Sequence, residues 1–267
     1  DSGIRAYNEH YDGSSWTETT DTNTARRNAG TFGTTTSSLV YGGQVPSVTN
    51  ITESWNGSAW TEVSDLNQAR TGLSSTGAGV SNTSGLMASG FVVPPYSSGT
   101  EVWNGSSWTE VNNLNTQKYT AGSGIPVSTS GVAFGGNPVV ANTEVWDGTN
   151  WTEVGDLNTG REYLNGVGIQ TSALAFAGRT SPPQSFKAQT ESWDGSSWTE
   201  VADLSNVKGI LGGGGASNTS QLAYGGYGGP GGTTRYAKDV RLCWIWHYQR
   251  QGSRRQPTWT CKGWGKN

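Results

Sequence analysis

Short apolar runs that end in glycine or a small residue recur along the whole chain. In each run a few apolar residues follow serine and stop at a glycine, a pattern that indicates a buried strand. The five runs are SSLVYGG ending at Gly43, SGLMASG at Gly90, SGVAFGG at Gly136, SALAFAG at Gly178 and SQLAYGG at Gly226. The pattern therefore predicts five buried β-strands, one in each copy of a repeat.

A second repeated unit places two aromatic residues around an Asp-Gly or Asn-Gly pair. Because these residues tolerate the positive φ of a tight turn, each copy predicts a β-hairpin. The second aromatics are separated by 44, 48, 43 and 47 residues, which is the period of propeller blades. The copies are NEHYDGSSWTET from Asn8, TESWNGSAWTEV from Thr52, TEVWNGSSWTEV from Thr100, TEVWDGTNWTEV from Thr143 and TESWDGSSWTEV from Thr190.

A glycine-rich segment precedes each apolar run and supplies a fourth strand. Its small side chains let neighbouring backbones approach closely, as a crowded innermost strand requires. Four antiparallel strands repeated every ~45 residues predict a β-propeller, in which each blade buries its faces against its neighbours. A basic residue marks the entry to each blade: Arg26, Arg70, Lys118, Arg161 and Lys208.

The order of the elements predicts how the ring closes. The chain begins with a hairpin at 8–20, and its last regular element is an inner strand pair at 208–226. The two halves are expected to complete one shared blade, which gives an all-β, five-bladed propeller over residues 1–234. An alternative of six blades stays open, because KDVRLCWIWHY in the tail can be aligned with TEVWDGTNWTE as a decayed sixth hairpin. A reading-frame change in the source gene is a third explanation of the tail.

The repeat resembles that of the kelch-type propellers. The shared features are a strand ending in Gly-Gly, an aromatic followed by Asp, a Trp, and an Arg-led next blade, over residues 8–226. The turn between Asp12 and Trp16 is shorter than in most kelch repeats. This short form is most similar to repetitive kelch-like proteins of bacteriophages and environmental viral sequences. That resemblance implies host attachment from a virion surface, or an extracellular, secreted protein.

Composition separates the last 33 residues from the rest. Residues 1–234 carry 9 Lys and Arg against 19 Asp and Glu, whereas 235–267 carry 8 against the single acid Asp239. This basic, Trp-containing tail is expected to cap the fold, dock onto another subunit or mediate self-association; a nucleic-acid partner is the less favoured reading. Its Cys243 and Cys261 could form a disulfide in an oxidising compartment or stay reduced. No apolar run approaches the ~18 residues that a membrane helix needs.

Residues that could carry catalysis are few, so we expect no enzyme, no cofactor and no metal site. The two histidines lie in unrelated contexts, and no Cys/His cluster has zinc spacing. The Asp-box of sialidase propellers is nearly matched by Ser192, Asp194, Gly195 and Trp198. Sialidases also use a cluster of arginines to bind the substrate carboxylate. Such a cluster could be imitated here by Arg26, Arg70 and Arg161, together with Glu18, Glu62 or Glu153. A sialidase-like glycoside hydrolase is therefore the second alternative, although these residues recur once per blade, as structural residues do.

Binding is the function that the sequence favours. Trp and Tyr can stack on sugar rings or anchor a protein partner. We therefore expect a non-enzymatic, lectin-like recognition module for a glycan or a host-surface protein; the first alternative is a structural scaffold of a particle. The second aromatics are expected to pack between blades: Trp16, Trp60, Trp108, Trp151 and Trp198. The candidates for ligand contact are the first aromatics, Tyr11, Trp55, Trp103, Trp146 and Trp193, and the aromatics of the variable loops, Tyr96, Phe186 and Tyr227.

The blade-entry cations have a structural expectation. The glutamate of the WTE triplet occurs once per blade, so one ion pair per blade would join it to the cation. These glutamates are Glu18, Glu62, Glu110, Glu153 and Glu200.

Overall fold

The computed structural model describes residues 4–73, 77–92, 96–119, 121–209, 212–228 and 234–235. Within these ranges every regular element is a β-strand, so the all-β prediction is confirmed. The ranges contain no helix with the length and apolarity needed to cross a membrane. The predicted tail at 235–267, with Cys243 and Cys261, lies outside the described residues apart from Arg235.

The strands follow one another in the chain with short connections. The first twelve are β1 (Glu9–Tyr11), β2 (Trp16–Glu18), β3 (Gly30–Thr34), β4 (Ser37–Tyr41), β5 (Gln44–Val45), β6 (Ser47–Val48), β7 (Thr52–Trp55), β8 (Trp60–Val63), β9 (Gly77–Ser81), β10 (Ser84–Ala88), β11 (Thr100–Trp103) and β12 (Trp108–Val111). The others are β13 (Gly122–Val127), β14 (Ser130–Phe134), β15 (Thr143–Trp146), β16 (Trp151–Val154), β17 (Asn165–Ile169), β18 (Ser172–Phe176), β19 (Arg179–Thr180), β20 (Ser185–Phe186), β21 (Thr190–Trp193), β22 (Trp198–Val201), β23 (Lys208–Gly209), β24 (Gly212–Ser217), β25 (Ser220–Tyr224), β26 (Tyr227–Gly228) and β27 (Thr234–Arg235).

Four sheets contain four antiparallel strands each, in the predicted order from the innermost to the outermost strand. Blade 1 is β3-β4-β7-β8, blade 2 is β9-β10-β11-β12, blade 3 is β13-β14-β15-β16 and blade 4 is β17-β18-β21-β22. The inner strands β3, β9, β13, β17 and β24 lie side by side in chain order. This radial arrangement of four-stranded sheets is that of a β-propeller.

The expected fifth blade is not assembled. The N-terminal hairpin β1-β2 and the inner pair β24-β25 form separate two-stranded sheets, with no ladder joining them among the described strands. Trp16, expected to pack between blades, is 62% exposed, because no neighbouring blade covers the face of β1-β2 on which it lies. The described residues thus form four complete blades and two half-blades, where the sequence predicted five blades in a closed ring.

Glycines in the inner strands make the close packing of blades possible, as the sequence predicted. A Cβ on Gly166 would lie 2.2 Å from the ring of Phe134 in the preceding blade, and one on Gly122 would lie 2.3 Å from the same ring. Contacts between real atoms are never so short, so an alanine at either position would displace the ring. The ring of Phe134 is fully buried, and its centroid lies 4.7 Å from the ring centroid of Trp198.

The Asp-Gly and Asn-Gly turns are fixed by a side chain as well as by glycine. Asp194 Oδ1 accepts hydrogen bonds from the backbone N–H groups of Ser196 and Ser197, at 2.8 and 2.9 Å. These bonds lower the pKa of Asp194 to about 2, and the bond from Ser197 has the largest effect. Asn56 and Asn104 accept the equivalent bonds in their own turns, which explains why either residue serves in the repeat.

Candidate functional site

Four of the five first aromatics are buried and therefore present no surface to a ligand. In each pair the ring packs against the second Trp, as Trp193 does with Trp198 at a centroid distance of 5.3 Å. Each indole N–H donates to a backbone carbonyl of its own blade. This corrects the expectation of ligand contact for Trp55, Trp103, Trp146 and Trp193, whose N–H groups bind the carbonyls of Thr35, Asn82, Ser128 and Gln170. Tyr11 of the N-terminal hairpin is different, since it is 43% exposed.

The second aromatics of blades 2 to 4 reach back to the preceding blade. The indole N–H of Trp198 donates to the Thr143 hydroxyl of blade 3 at 2.8 Å. Trp108 and Trp151 make the equivalent bonds to Thr52 and Thr100. These three tryptophans hold adjacent blades together.

Each blade-entry cation of blades 1 to 4 forms a buried ion pair, but not with the glutamate that the sequence suggested. The partner is the glutamate two residues before the first Trp, as in Arg161–Glu191 at 2.8 Å. The WTE glutamate stands directly opposite that residue on the neighbouring strand and is exposed, because its strand is the outermost one. The pairs are Arg26–Glu53, Arg70–Glu101, Lys118–Glu144 and Arg161–Glu191.

The buried glutamates also fix the segment that enters each blade. Glu191 accepts the backbone N–H of Asn158 at 2.7 Å and its side-chain amide at 2.9 Å. Burial lowers the pKa of Arg161, and the charge of Glu191 opposes that shift. Each of these arginines is thus bound to a buried glutamate of its own blade.

The variable residues of the repeat meet at one end of the blades. There the residue after the entry cation forms an isolated antiparallel β-bridge with the residue after the apolar run, as Glu162 does with Arg179. The cations obey the repeat, whereas these neighbours change from blade to blade. The four pairs are Arg27 with Gln44, Thr71 with Phe91, Tyr119 with Asn137, and Glu162 with Arg179. We call this end of the propeller the loop face.

Three half-buried tyrosines and one arginine form a continuous surface on the loop face, which we call the tyrosine shelf. Tyr96 stacks on Tyr119 with ring centroids 5.1 Å apart and an angle of 15° between the planes. The hydroxyl groups of Tyr119 and Tyr163 lie 3.2 Å apart. Arg179 covers the ring of Tyr163, with Cζ 4.7 Å from its centroid. The shelf joins blades 2, 3 and 4.

A buried carboxylate supports the shelf from below. Glu162 Oε1 binds Arg179 Nε at 2.6 Å, and Glu162 Oε2 accepts a hydrogen bond from the Asn137 amide. Burial, followed by the hydrogen bond with Tyr163, raises the pKa of Tyr119 well above its ordinary range. The Tyr119 hydroxyl therefore stays protonated at neutral pH, and the ion pair with Glu162 fixes the orientation of the Arg179 guanidinium.

Tyr163 has a backbone conformation that is costly for its residue type. Its φ is 53°, in the left-handed region that aromatic residues rarely adopt. At the equivalent position blade 1 has Asn28 (φ 52°) and blade 2 has Gly72 (φ 71°), two residue types suited to that region. Strain of this kind costs of order 1–3 kcal/mol and is concentrated at functional sites.

A groove of about 320 Å³ adjoins the shelf between blades 2 and 3. Its lining includes Tyr96 and Val92, together with the exposed side chains of Gln68, Asn113 and Gln117. Its one lining arginine, Arg70, is already bound to Glu101 at 2.9 Å. The groove therefore offers amides and an aromatic edge.

The sequence located part of this site. Tyr96 and Phe186 lie on the loop face, both half-buried; Tyr227 belongs to β26, and its side chain lies outside the described part of the structure. Tyr119, Glu162, Tyr163 and Arg179 were missed. The sequence did contain a signal for them. Each of these residues differs from the residue at the same position of the other repeats, whereas the cation or glycine near it is retained. Lys208 is buried at the entry to the half-blade.

The comparisons with known proteins support the fold. No protein-family model and no curated protein matches the sequence. Among solved structures, one titled "Structure of YjhT" superimposes with a TM-score of 0.69 at 13% sequence identity, covering 86% of each chain. At that identity the likeness is evidence of fold alone. Together with the radial sheets described above, it identifies the chain as a β-propeller.

Proposed function

We propose that this β-propeller is a non-enzymatic recognition module that binds glycans through the tyrosine shelf. The observation that carries the proposal is the convergence of repeat-breaking residues on one face. A rigid scaffold that varies only where its loops meet is the usual arrangement of a binding protein. The resemblance to kelch-like phage proteins suggests a host-surface glycan as the target, met from a virion surface or outside the cell.

The chemistry of the shelf suits a sugar. Aromatic faces stack on the apolar face of a pyranose ring, and their polar edges bond its hydroxyl groups. Tyr119, Tyr163 and Arg179 place such faces and donors within one connected surface. The buried tryptophans contribute stability to this surface and no contact to the ligand.

Replacing Tyr163 with asparagine is expected to abolish glycan binding while leaving stability almost unchanged. Asn occupies the equivalent position in blade 1 with nearly the same φ. Relief of about 1 kcal/mol of strain should offset the lost ring contacts of similar size. A glycan array identifies the bound sugar, and isothermal titration then compares the variant with wild type.

The matched control is Tyr7→Ala, which removes a tyrosine that is 70% exposed and lies outside the shelf. It should bind as wild type does. Equal binding by Tyr163→Asn and wild type, or no binding by wild type on the array, would reject the proposal.

We also propose that the chain ends complete a fifth blade by joining β1-β2 to β24-β25. Thr190 of blade 4 is buried like Thr52, Thr100 and Thr143, yet no tryptophan among the described residues donates to it. At the other end Trp60 has a buried indole N–H without a partner in the described structure. A hairpin inserted between blades 4 and 1 would bring Trp16 to Thr190 and Asn8, the counterpart of Thr52, to Trp60.

Closure predicts that Trp16→Ala lowers the free energy of unfolding by more than 2 kcal/mol, as loss of a buried aromatic does. Urea denaturation measures the change, and Tyr7→Ala again serves as the exposed control. A loss below about 0.5 kcal/mol, the usual effect of a surface substitution, would mean that the hairpin stays outside the ring.

A further inference from the structure

We infer that the groove between blades 2 and 3 is a subsite for a neutral oligosaccharide, extending the tyrosine shelf. This inference rests on the proposed function and adds the class of ligand. The ligand would place one ring on the shelf and a neighbouring ring in the groove. Tyr96 belongs to both surfaces, since it stacks on Tyr119 and also lines the groove.

Three positions in the groove depart from the repeat, and all three depart toward an amide. Asn113 stands where the other four units have an aspartate, and Gln117 where they have alanine, glycine or valine. Gln68 stands where the first, third and fourth entry segments have threonine and the fifth has Asn206. A structural requirement would keep the repeat residue, so the shared change points to a ligand.

The amide groups are available for binding. Asn113 Oδ1 keeps the structural bond of the aspartate it replaces, accepting the Thr100 N–H at 3.3 Å. Its Nδ2, and the whole side-chain amides of Gln68 and Gln117, have no hydrogen-bond partner among the described residues. An amide both donates and accepts, which matches the paired hydroxyl groups of a sugar.

The charges of the groove favour a neutral ligand over an acidic one. Glu110 is exposed at its edge, and the guanidinium of Arg70 is fully buried and paired with Glu101. A carboxylate or sulfate on the ligand would meet Glu110 without a free cation among the described lining residues. Neutral hexoses and N-acetylhexosamines are therefore expected to bind better than uronates.

The test restores the repeat. The triple variant Gln68→Thr, Asn113→Asp, Gln117→Ala carries at each position a residue that this fold already accepts elsewhere, so it should fold normally. Probes are neutral hexasaccharides of glucose, mannose, galactose and N-acetylglucosamine, with a uronate hexamer and the corresponding monosaccharides, measured by isothermal titration. We expect about tenfold or greater loss of affinity for the preferred neutral hexasaccharide, and little change for its monosaccharide.

The outcomes separate the two proposals. If wild type binds a hexasaccharide, Tyr163→Asn abolishes binding and the triple variant binds as wild type, the groove is not a subsite although the shelf is. Tighter binding of the uronate hexamer than of every neutral one would also overturn the inference. If wild type binds none of the probes, the glycan function and the subsite both fail.

Discussion

Replacing Glu191 with alanine is expected to destabilise the protein by about 3–5 kcal/mol, because it leaves the Arg161 charge buried without compensation. The substitution also removes the acceptor of two of the three Asn158 hydrogen bonds, and only the bond to the Trp198 carbonyl remains, so the attachment of the segment entering blade 4 is weakened. Unfolding in urea, followed by tryptophan fluorescence, measures the change.

The matched control is Glu200→Ala. Glu200 lies directly opposite Glu191 on the neighbouring strand, but it is exposed and forms no ion pair with any residue that the structure describes. Its loss should change stability by less than about 0.5 kcal/mol. If both variants lose the same stability, the ion pair does not hold the blade together.

Replacing Trp146 with alanine is expected to cost about 3–5 kcal/mol through the cavity it leaves. The side chain is fully buried, lies 5.5 Å from Trp151 between ring centroids, and donates to the Ser128 carbonyl at 2.9 Å. Thermal unfolding of this variant beside Tyr7→Ala separates a core tryptophan from an exposed aromatic. A loss below about 1 kcal/mol would contradict the packing role and return Trp146 to the candidates for ligand contact.

The fold of the blades follows from local signals, which is why the sequence predicted it well. Asp-Gly and Asn-Gly turns define the hairpins, and the apolar runs define the strands beside them. Closure was harder to predict, because it depends on pairing between strands from opposite ends of the repeat array, and the structure leaves β1-β2 and β24-β25 as separate two-stranded sheets.

The site could be predicted only in part, for a geometric reason. Glu191 and Glu200 lie directly opposite each other on adjacent strands, and both recur once per blade, so the repeat pattern does not distinguish the buried carboxylate from the exposed one. Likewise Tyr119 and Tyr163 are 44 positions apart, and only the radial arrangement of blades brings their hydroxyls together. Their departure from the repeat was visible, but the surface that they share was not.

The indole bonds between blades all run in one direction. Trp108 binds Thr52, Trp151 binds Thr100 and Trp198 binds Thr143. The outer hairpin of each of these blades therefore donates a hydrogen bond to the blade that precedes it in the chain. A blade removed from the C-terminal end takes its own indole with it and orphans none. A blade removed from the N-terminal end would leave the indole N–H of the next blade without its acceptor, the state in which the indole N–H of Trp60 lies in the described structure. A propeller of this kind can therefore be shortened or lengthened by whole units more easily at its C-terminus than at its N-terminus.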